Sequence, residues 1–131
     1  MKQHITIKQL NELSEKGKEK LRGWWLPEHG DFTNYVDTHG LMMVGESYYD
    51  NPFDPKFIEK TEGVIILPLL SIGQMIEFLQ KTQKVFHIYQ KIEGDFVYLV
   101  GFSNNGTGGK YQSKELCDAL WEAIKNILEE K

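Results

Sequence analysis

The segment Val85–Phe102, VFHIYQKIEGDFVYLVGF, contains the clearest β-hairpin pattern of the chain. Two runs rich in β-branched and aromatic residues, Val85–Ile92 and Asp95–Phe102, are joined at Glu93-Gly94, a pair that suits a tight turn. In the second run apolar side chains occupy both alternating faces, which is typical of a central strand covered on both sides. The segment therefore predicts an antiparallel hairpin at the centre of a sheet.

Amphipathic helices are predicted on both sides of this hairpin. Before it, Ser71 and Gln74 form a capping-box pattern that starts a middle helix over about 71–82, with apolar residues at helical spacing. After it, a short strand is followed by Ser113, which is predicted to cap a C-terminal helix over about 114–129. The second helix has the strongest amphipathic pattern in the chain. We expect the apolar faces of both helices to pack on the sheet.

The first part of the chain is predicted to add an N-terminal helical region and another hairpin. Thr6 and Gln9 form a capping box, and helical spacing of apolar residues continues to Trp25, as one bent helix or two short ones. Strands are predicted over 31–36 and 41–46, joined by a turn that contains a glycine.

Two shorter elements complete the predicted order. Asp54 and the proline after it predict a short helix over 55–60, and a β-branched run predicts a buried strand over 64–67. Because hairpins dominate, the predicted class is α+β, with a mainly antiparallel sheet built from two hairpins. A length of 131 residues fits one domain, 1–131, with the three helical regions packed on the sheet.

Composition and charge limit the classes of function. A formal net charge of −4 disfavours a generally basic nucleic-acid binder. The single cysteine, Cys117, excludes an intrachain disulfide and a cysteine-based zinc site, and its place beside a helical apolar stripe predicts a buried, inert thiol. No signal-peptide pattern is visible, and the longest apolar stretch, Val64–Leu70, is far shorter than the roughly 20 residues of a membrane span. We therefore expect a cytoplasmic protein with no membrane partner.

Several segments resemble small phage- and prophage-encoded proteins of Gram-positive bacteria. Residues 67–79, LPLLSIGQMIEFL, are similar to one segment of these proteins, and residues 113–125, SKELCDALWEAIK, resemble their C-terminal helix. The opening Ile5–Leu10, with Trp24–Pro27 after it, resembles their usual start. The resemblance implies a phage or prophage origin and a place in the bacterial host. It implies no catalytic residue, because that family has no assigned activity.

Aromatic side chains outside the predicted core are the candidate protein-contact residues. The segment 46–57 combines aromatic and acidic side chains, which suit contact with a basic partner or, alternatively, fold back to seal the core. Two adjacent tryptophans cannot both face one core centre, so one is expected at a subunit interface or under the following loop. A protein partner and a homo-oligomer both fit this interpretation. The candidate residues are Trp24, Trp25, Tyr48, Tyr49 and Phe53.

An acid–base or metal site is an alternative function. Glu28, His29 and Asp31 place two carboxylates beside one imidazole. They would form such a site if the fold brought His39 or His87 alongside. No pair of histidines has the local spacing of a metal-binding motif.

Two further alternatives concern anion binding. The glycine-rich stretch 106–110 lies between a strand and a helix, where backbone N–H groups can hold phosphate, although it departs from the P-loop pattern. The N-terminal 25 residues are basic, and a basic helix can contact nucleic acid. None of these patterns assigns a catalytic, cofactor or metal residue. The sequence therefore favours a non-catalytic protein-interaction protein without a cofactor.

Overall fold

The described part of the chain has the α+β fold that the sequence predicts, with four helices of at least four residues and several antiparallel strands. The computed structural model describes residues 1–37, 40–45, 47–48, 51–52, 54–55, 65–82, 86–93, 95–102 and 110–130. The helices are α1 Ile7–Leu10, α2 Glu15–Trp24, α3 Ile72–Thr82 and α4 Leu116–Leu128. The strands are β1 Phe32–Asp37, β2 Gly40–Met43, β3 Ser47–Tyr48, β4 Asn51–Pro52, β5 Phe86–Glu93, β6 Asp95–Phe102 and β7 Lys110–Ser113.

The largest sheet has the order β5-β6-β7, with both pairs antiparallel. β5 and β6 pair in one continuous register, from Phe86 opposite Phe102 to Glu93 opposite Asp95. Neighbouring residues of β6 point to opposite faces, and Leu99 and Val100 are nevertheless both buried, at 6% and 0% exposure. The prediction of a central strand covered on both sides is therefore confirmed here.

The first hairpin pairs β1 with β2, also antiparallel. Val36 lies opposite Leu41, and an irregularity separates this pair from the pairing of Phe32 with Met43. Gly40, with a φ of 112°, adopts the left-handed conformation that the predicted turn requires. The hairpin is thus where the sequence places it, with β2 ending earlier than predicted.

The prediction of a regular strand over 64–67 is wrong for the described residues, 65–67. Residues 65–69 are extended and form only an isolated bridge, between Thr33 and Pro68. Leu67 accepts a backbone hydrogen bond from Asn34 at 3.1 Å. The Leu67 N–H donates to the side-chain Oδ1 of Asn34 at 2.9 Å, and this bond takes the place of the backbone bond that would continue the ladder. Of the predicted run, Leu67 is buried, whereas Ile65 is 49% exposed.

The predicted side-chain caps mark the starts of the helices in the N-terminal region but not the start of α4. Thr6 forms the predicted capping box with Gln9, and Ser14 then caps a second helix, so the two-helix alternative is the correct one. At α4 the prediction was wrong. Ser113 belongs to β7, and Glu115 is the N-cap residue without a side-chain cap bond.

Two apolar clusters hold the elements together. The larger one joins the N-terminal segment, α3, α4 and the inner face of the large sheet. Cys117 and Trp121 of α4 are fully buried in it, although the helical pattern placed them at the edge of the apolar stripe. The smaller cluster contains Trp25, Met42 and Ile66 and lies under the β1–β2 hairpin. Of the short helix predicted over 55–60, only Pro55 is described, and it is helical.

Candidate functional site

The two adjacent tryptophans have different environments. Trp25, the residue after α2, is 6% exposed and packs in the smaller cluster. Trp24 is half-buried, contacts both clusters and meets the ring of Phe78 edge-on at 5.2 Å between centroids. The alternative in which one tryptophan lies under the following loop fits Trp25, whose indole bonds to Asp31 of that loop.

The carboxylate of Asp31 is a junction between three parts of the fold. Its Oδ2 accepts hydrogen bonds from the Trp25 indole at 3.0 Å and from the backbone N–H of Glu28 at 2.9 Å. Its Oδ1 accepts one from the side-chain amide of Gln74 in α3 at 3.0 Å. Such a carboxylate positions structural elements, because its acceptor atoms are already bonded to protein donors.

The predicted acid–base group is brought together only in part, since Glu28 lines the same cleft as Asp31. Glu28 and His29 are exposed, and the imidazole of His29 lies against Gly45, where a Cβ would overlap the ring. His87 is exposed on β5 beside Tyr89, with ring centroids 5.6 Å apart. His39 lies outside the described residues. Within the described parts of the chain, no group of three or more His, Cys, Asp or Glu side chains is placed to hold a metal ion.

A small cleft lies next to Asp31. Its volume is about 90 Å³, and Trp24, Leu26, Gln74 and Lys81 are among the residues that line it. Ligand pockets for drug-sized molecules usually measure about 300–1,000 Å³. This cleft is therefore too small to enclose such a ligand.

A larger, open groove of about 500 Å³ runs between α1 and α4. The ammonium group of Lys2 donates to the Gln9 side chain at 2.7 Å and to Asp118 Oδ1 at 2.6 Å, and Gln9 donates to Asp118 at 2.8 Å. Burial alone would raise the pKa of Asp118, but the hydrogen bonds from Lys2 and Gln9 and the Lys2 charge lower it overall. The polar groups here join the N-terminal segment to α4.

The structure bears on only one of the two anion-binding alternatives, the basic N-terminal helix. In α2, Lys18 lies 3.8 Å from the Glu15 carboxylate, and the ammonium group of Lys20 donates to the backbone carbonyl of Glu130. These two cations are thus partly occupied within the chain. Of the glycine-rich stretch 106–110, only Lys110 is described, so that prediction lies outside the described residues.

The exposed apolar residues of the first hairpin form a surface that sequence reasoning missed. Val36 is 56% exposed and its cross-strand partner Leu41 is 36% exposed, so the pair presents an apolar face. Ile65 belongs to the segment that runs along β1 on the side opposite β2, and it is 49% exposed. We call Val36, Leu41 and Ile65 the hairpin patch. The available signal was an apolar residue on both strands at the second pair from the turn, Val36 with Leu41.

The candidate contact residues of segment 46–57 are described only in part. β3 and β4 pair antiparallel, with Ser47 opposite Pro52 and Tyr48 opposite Asn51, so this segment contains a tight hairpin. Tyr49, Phe53 and the side chain of Tyr48 lie outside the described residues. Their role in protein contact therefore stays a prediction.

The buried thiol is unsuited to nucleophilic chemistry. Cys117 has 0% exposure, and burial raises the pKa of its thiol to about 11. Because the thiolate is the reactive form, this environment makes the residue inert, as predicted. Among the described helices, none is both long and apolar enough to cross a membrane.

Comparison with protein-family models, curated proteins and solved structures gave no significant match. Function must therefore be argued from the surface chemistry of this chain, since a fold class by itself does not imply a function.

Proposed function

We propose that this chain is a non-catalytic protein-interaction protein of phage or prophage origin that acts in the cytoplasm of a bacterial host. Its contact surface is the hairpin patch. The observation that carries the proposal is the exposed cross-strand pair of Val36 and Leu41, at 56% and 36% exposure. On a half-solvated antiparallel sheet, the solvent face is normally polar.

The energetics of the pair favour a macromolecular partner. Full burial of a valine or leucine side chain contributes about 1.5–3 kcal/mol, so covering these partly exposed residues contributes about 1 kcal/mol each. Ile65 adds further apolar area at 49% exposure. A flat surface of this kind gains little from a small ligand but much from a protein that covers it entirely.

Charge indicates the kind of partner. Residues 26–63, which contain Val36 and Leu41 of the hairpin patch, carry eight acidic and two basic side chains. An apolar patch in an acidic segment is complementary to a protein surface whose apolar centre is surrounded by lysine and arginine. The aromatic residues Tyr48, Tyr49 and Phe53 belong to the same acidic segment and are proposed as additional contacts.

The experiment compares partner capture by the wild type and by the double variant Val36→Ser, Leu41→Ser, using lysate of a Gram-positive bacterium treated with nuclease. Both side chains are exposed, so the variant should fold, which far-UV circular dichroism checks. The partner of interest is the protein that the wild type captures at an equal molar ratio. Its dissociation constant for the double variant should be at least about tenfold higher than for the wild type. The matched control is Leu26→Ser, because Leu26 is an apolar residue outside the hairpin patch with 74% exposure.

Two results would contradict the proposal: equal capture by the wild type and the double variant, or an equal loss in the Leu26→Ser control. Alanine variants of Tyr48, Tyr49 and Phe53 then define the extent of the contact. Trp25 is unsuitable for this mapping, because its side chain is buried and its replacement would perturb the fold.

A further inference from the structure

β5 is a long edge strand whose side chains are largely open to solvent. It pairs with β6 at all eight positions, and no described strand pairs with its other edge. Tyr89 and Ile92 are 39% and 68% exposed, and His87 and Gln90 are exposed as well. A strand of this kind presents a row of backbone N–H and C=O groups that can pair with another strand.

β5 lacks several devices that usually prevent edge pairing. Its residues, FHIYQKIE, include no proline, and its continuous register with β6 contains no bulge. It is also longer than the usual strand of about five to six residues. By contrast β7, at the opposite edge, has only four residues. The edge of β5 is therefore the place in this sheet where a further strand fits.

We propose that the occupant is a second copy of this chain, whose β5 pairs antiparallel with β5 around a two-fold axis at Gln90. A two-fold axis perpendicular to the sheet keeps the core faces of both copies on the same side of the joined sheet. At the axis, one residue of β5 lies directly opposite the same residue of the second copy. Pairing at Gln90 extends the three described strands of each copy into one sheet across the dimer.

Side-chain complementarity favours this register. With Gln90 opposite Gln90 of the second copy, Ile92 lies opposite Ile88 of the second copy, which already packs on the main core. The same contact occurs twice, because the two-fold axis also places Ile88 opposite Ile92 of the second copy. Both apolar pairs and the central glutamine pair are favourable cross-strand neighbours. The exposed Ile92 would be covered, which gives the pairing an apolar contribution.

The neighbouring register is less complementary. An axis at Tyr89 would place Ile88 opposite Gln90 of the second copy. It would thus oppose an apolar with a polar side chain at two symmetric positions, which is a less favourable cross-strand pair than two isoleucines. The proposal rests on β5 alone and is independent of the hairpin patch.

The first test uses single cysteines and mild oxidation of the full chain. Gln90→Cys should form a covalent dimer, because only a self-paired position brings two Cβ atoms within disulfide range. Tyr89→Cys is the matched control at the adjacent position and should stay uncrosslinked. Cys117 does not interfere, since it is fully buried. Crosslinking at Tyr89, or at neither position, would overturn the proposed register.

The second test measures the dimer directly by sedimentation equilibrium over a range of concentrations. The wild type should dimerise reversibly, and Ile92→Asp should raise the dissociation constant by at least about tenfold, since the contact occurs twice in a symmetric dimer. The double variant Val36→Ser, Leu41→Ser should dimerise like the wild type, which separates this proposal from the hairpin patch. A monomeric wild type at all concentrations would refute the proposal and leave the edge to a strand from another protein.

Discussion

The indole Nε1 of Trp25 donates a hydrogen bond of 3.0 Å to Oδ2 of Asp31. This bond joins the end of α2 to the loop before β1, and the same carboxylate also binds Gln74 of α3. Asp31 was a candidate acid–base residue in the sequence. Its three protein donors make it a structural junction in the folded chain.

Asp31→Ala is expected to lower the free energy of unfolding by about 2–3 kcal/mol, because a charged acceptor is lost and three donors lose their partner. Urea unfolding followed by tryptophan fluorescence measures the change. The control Glu28→Ala, an exposed carboxylate of the same loop, should alter stability by less than about 0.5 kcal/mol. Equal effects of the two variants would contradict the junction role.

Two glycines of α2 should respond oppositely to alanine. At Gly23 a new Cβ would meet no atom within 4 Å, so Gly23→Ala should stabilise the protein by about 0.5–1 kcal/mol through helix propensity. At Gly17 a Cβ would lie 2.7 Å from Oε1 of Glu129 and 3.3 Å from Leu13 Cδ2. Gly17→Ala should therefore lower the thermal midpoint.

The cause of the Gly17 effect can be separated by a second substitution. The Glu129 carboxylate accepts bonds from the Ser14 backbone N–H and hydroxyl, both at 2.7 Å, so it cannot move away without losing them. In a Glu129→Ala background, Gly17→Ala should be less harmful than in the wild type. An unchanged effect would assign the penalty to Leu13 instead.

The thiol of Cys117 should react with Ellman's reagent at pH 8 only when the protein opens. Its burial and its pKa of about 11 leave few thiolates in the native state. Labelling should be slow in native buffer and fast in denaturing urea. The control Cys117→Ala, Glu122→Cys carries its thiol on the exposed face of α4 and should react at once. Rapid native labelling of Cys117 would contradict the buried environment.

The lowered pKa of Asp118 leads us to expect that the protein loses stability in acid. Its native pKa is below the ordinary value of 3.8, so its ionised form contributes to stability above that pH. The contribution is lost as the pH falls through the lower native pKa, because both states then carry the proton. The difference in unfolding free energy between the wild type and Asp118→Asn should be constant from about pH 5 to 7 and shrink below about pH 4. If the difference in unfolding free energy grew on acidification, the downward direction of the Asp118 pKa shift would be contradicted.

Sequence reasoning succeeded where a local pattern sets the structure. The capping box of Thr6 and Gln9 and the turn glycine Gly40 act through neighbouring residues, so the pattern alone predicts them. It failed at Ser113, where a cap-forming residue is part of β7, and at residues 64–67, where the Leu67 N–H bonds to the side chain of Asn34 and not to a strand carbonyl. In both cases a strand partner distant in sequence determines the outcome.

The same division applies to the candidate site. By itself the sequence determined the class, the helices, the central hairpin and the buried cysteine, because periodic apolar residues must turn to one core. Only the tertiary structure decided that Asp31 joins three elements, that Trp25 lies beneath its loop, and that Val36 and Leu41 are exposed. Exposure depends on which elements cover a residue, and those elements are brought together only by the packing of the whole chain.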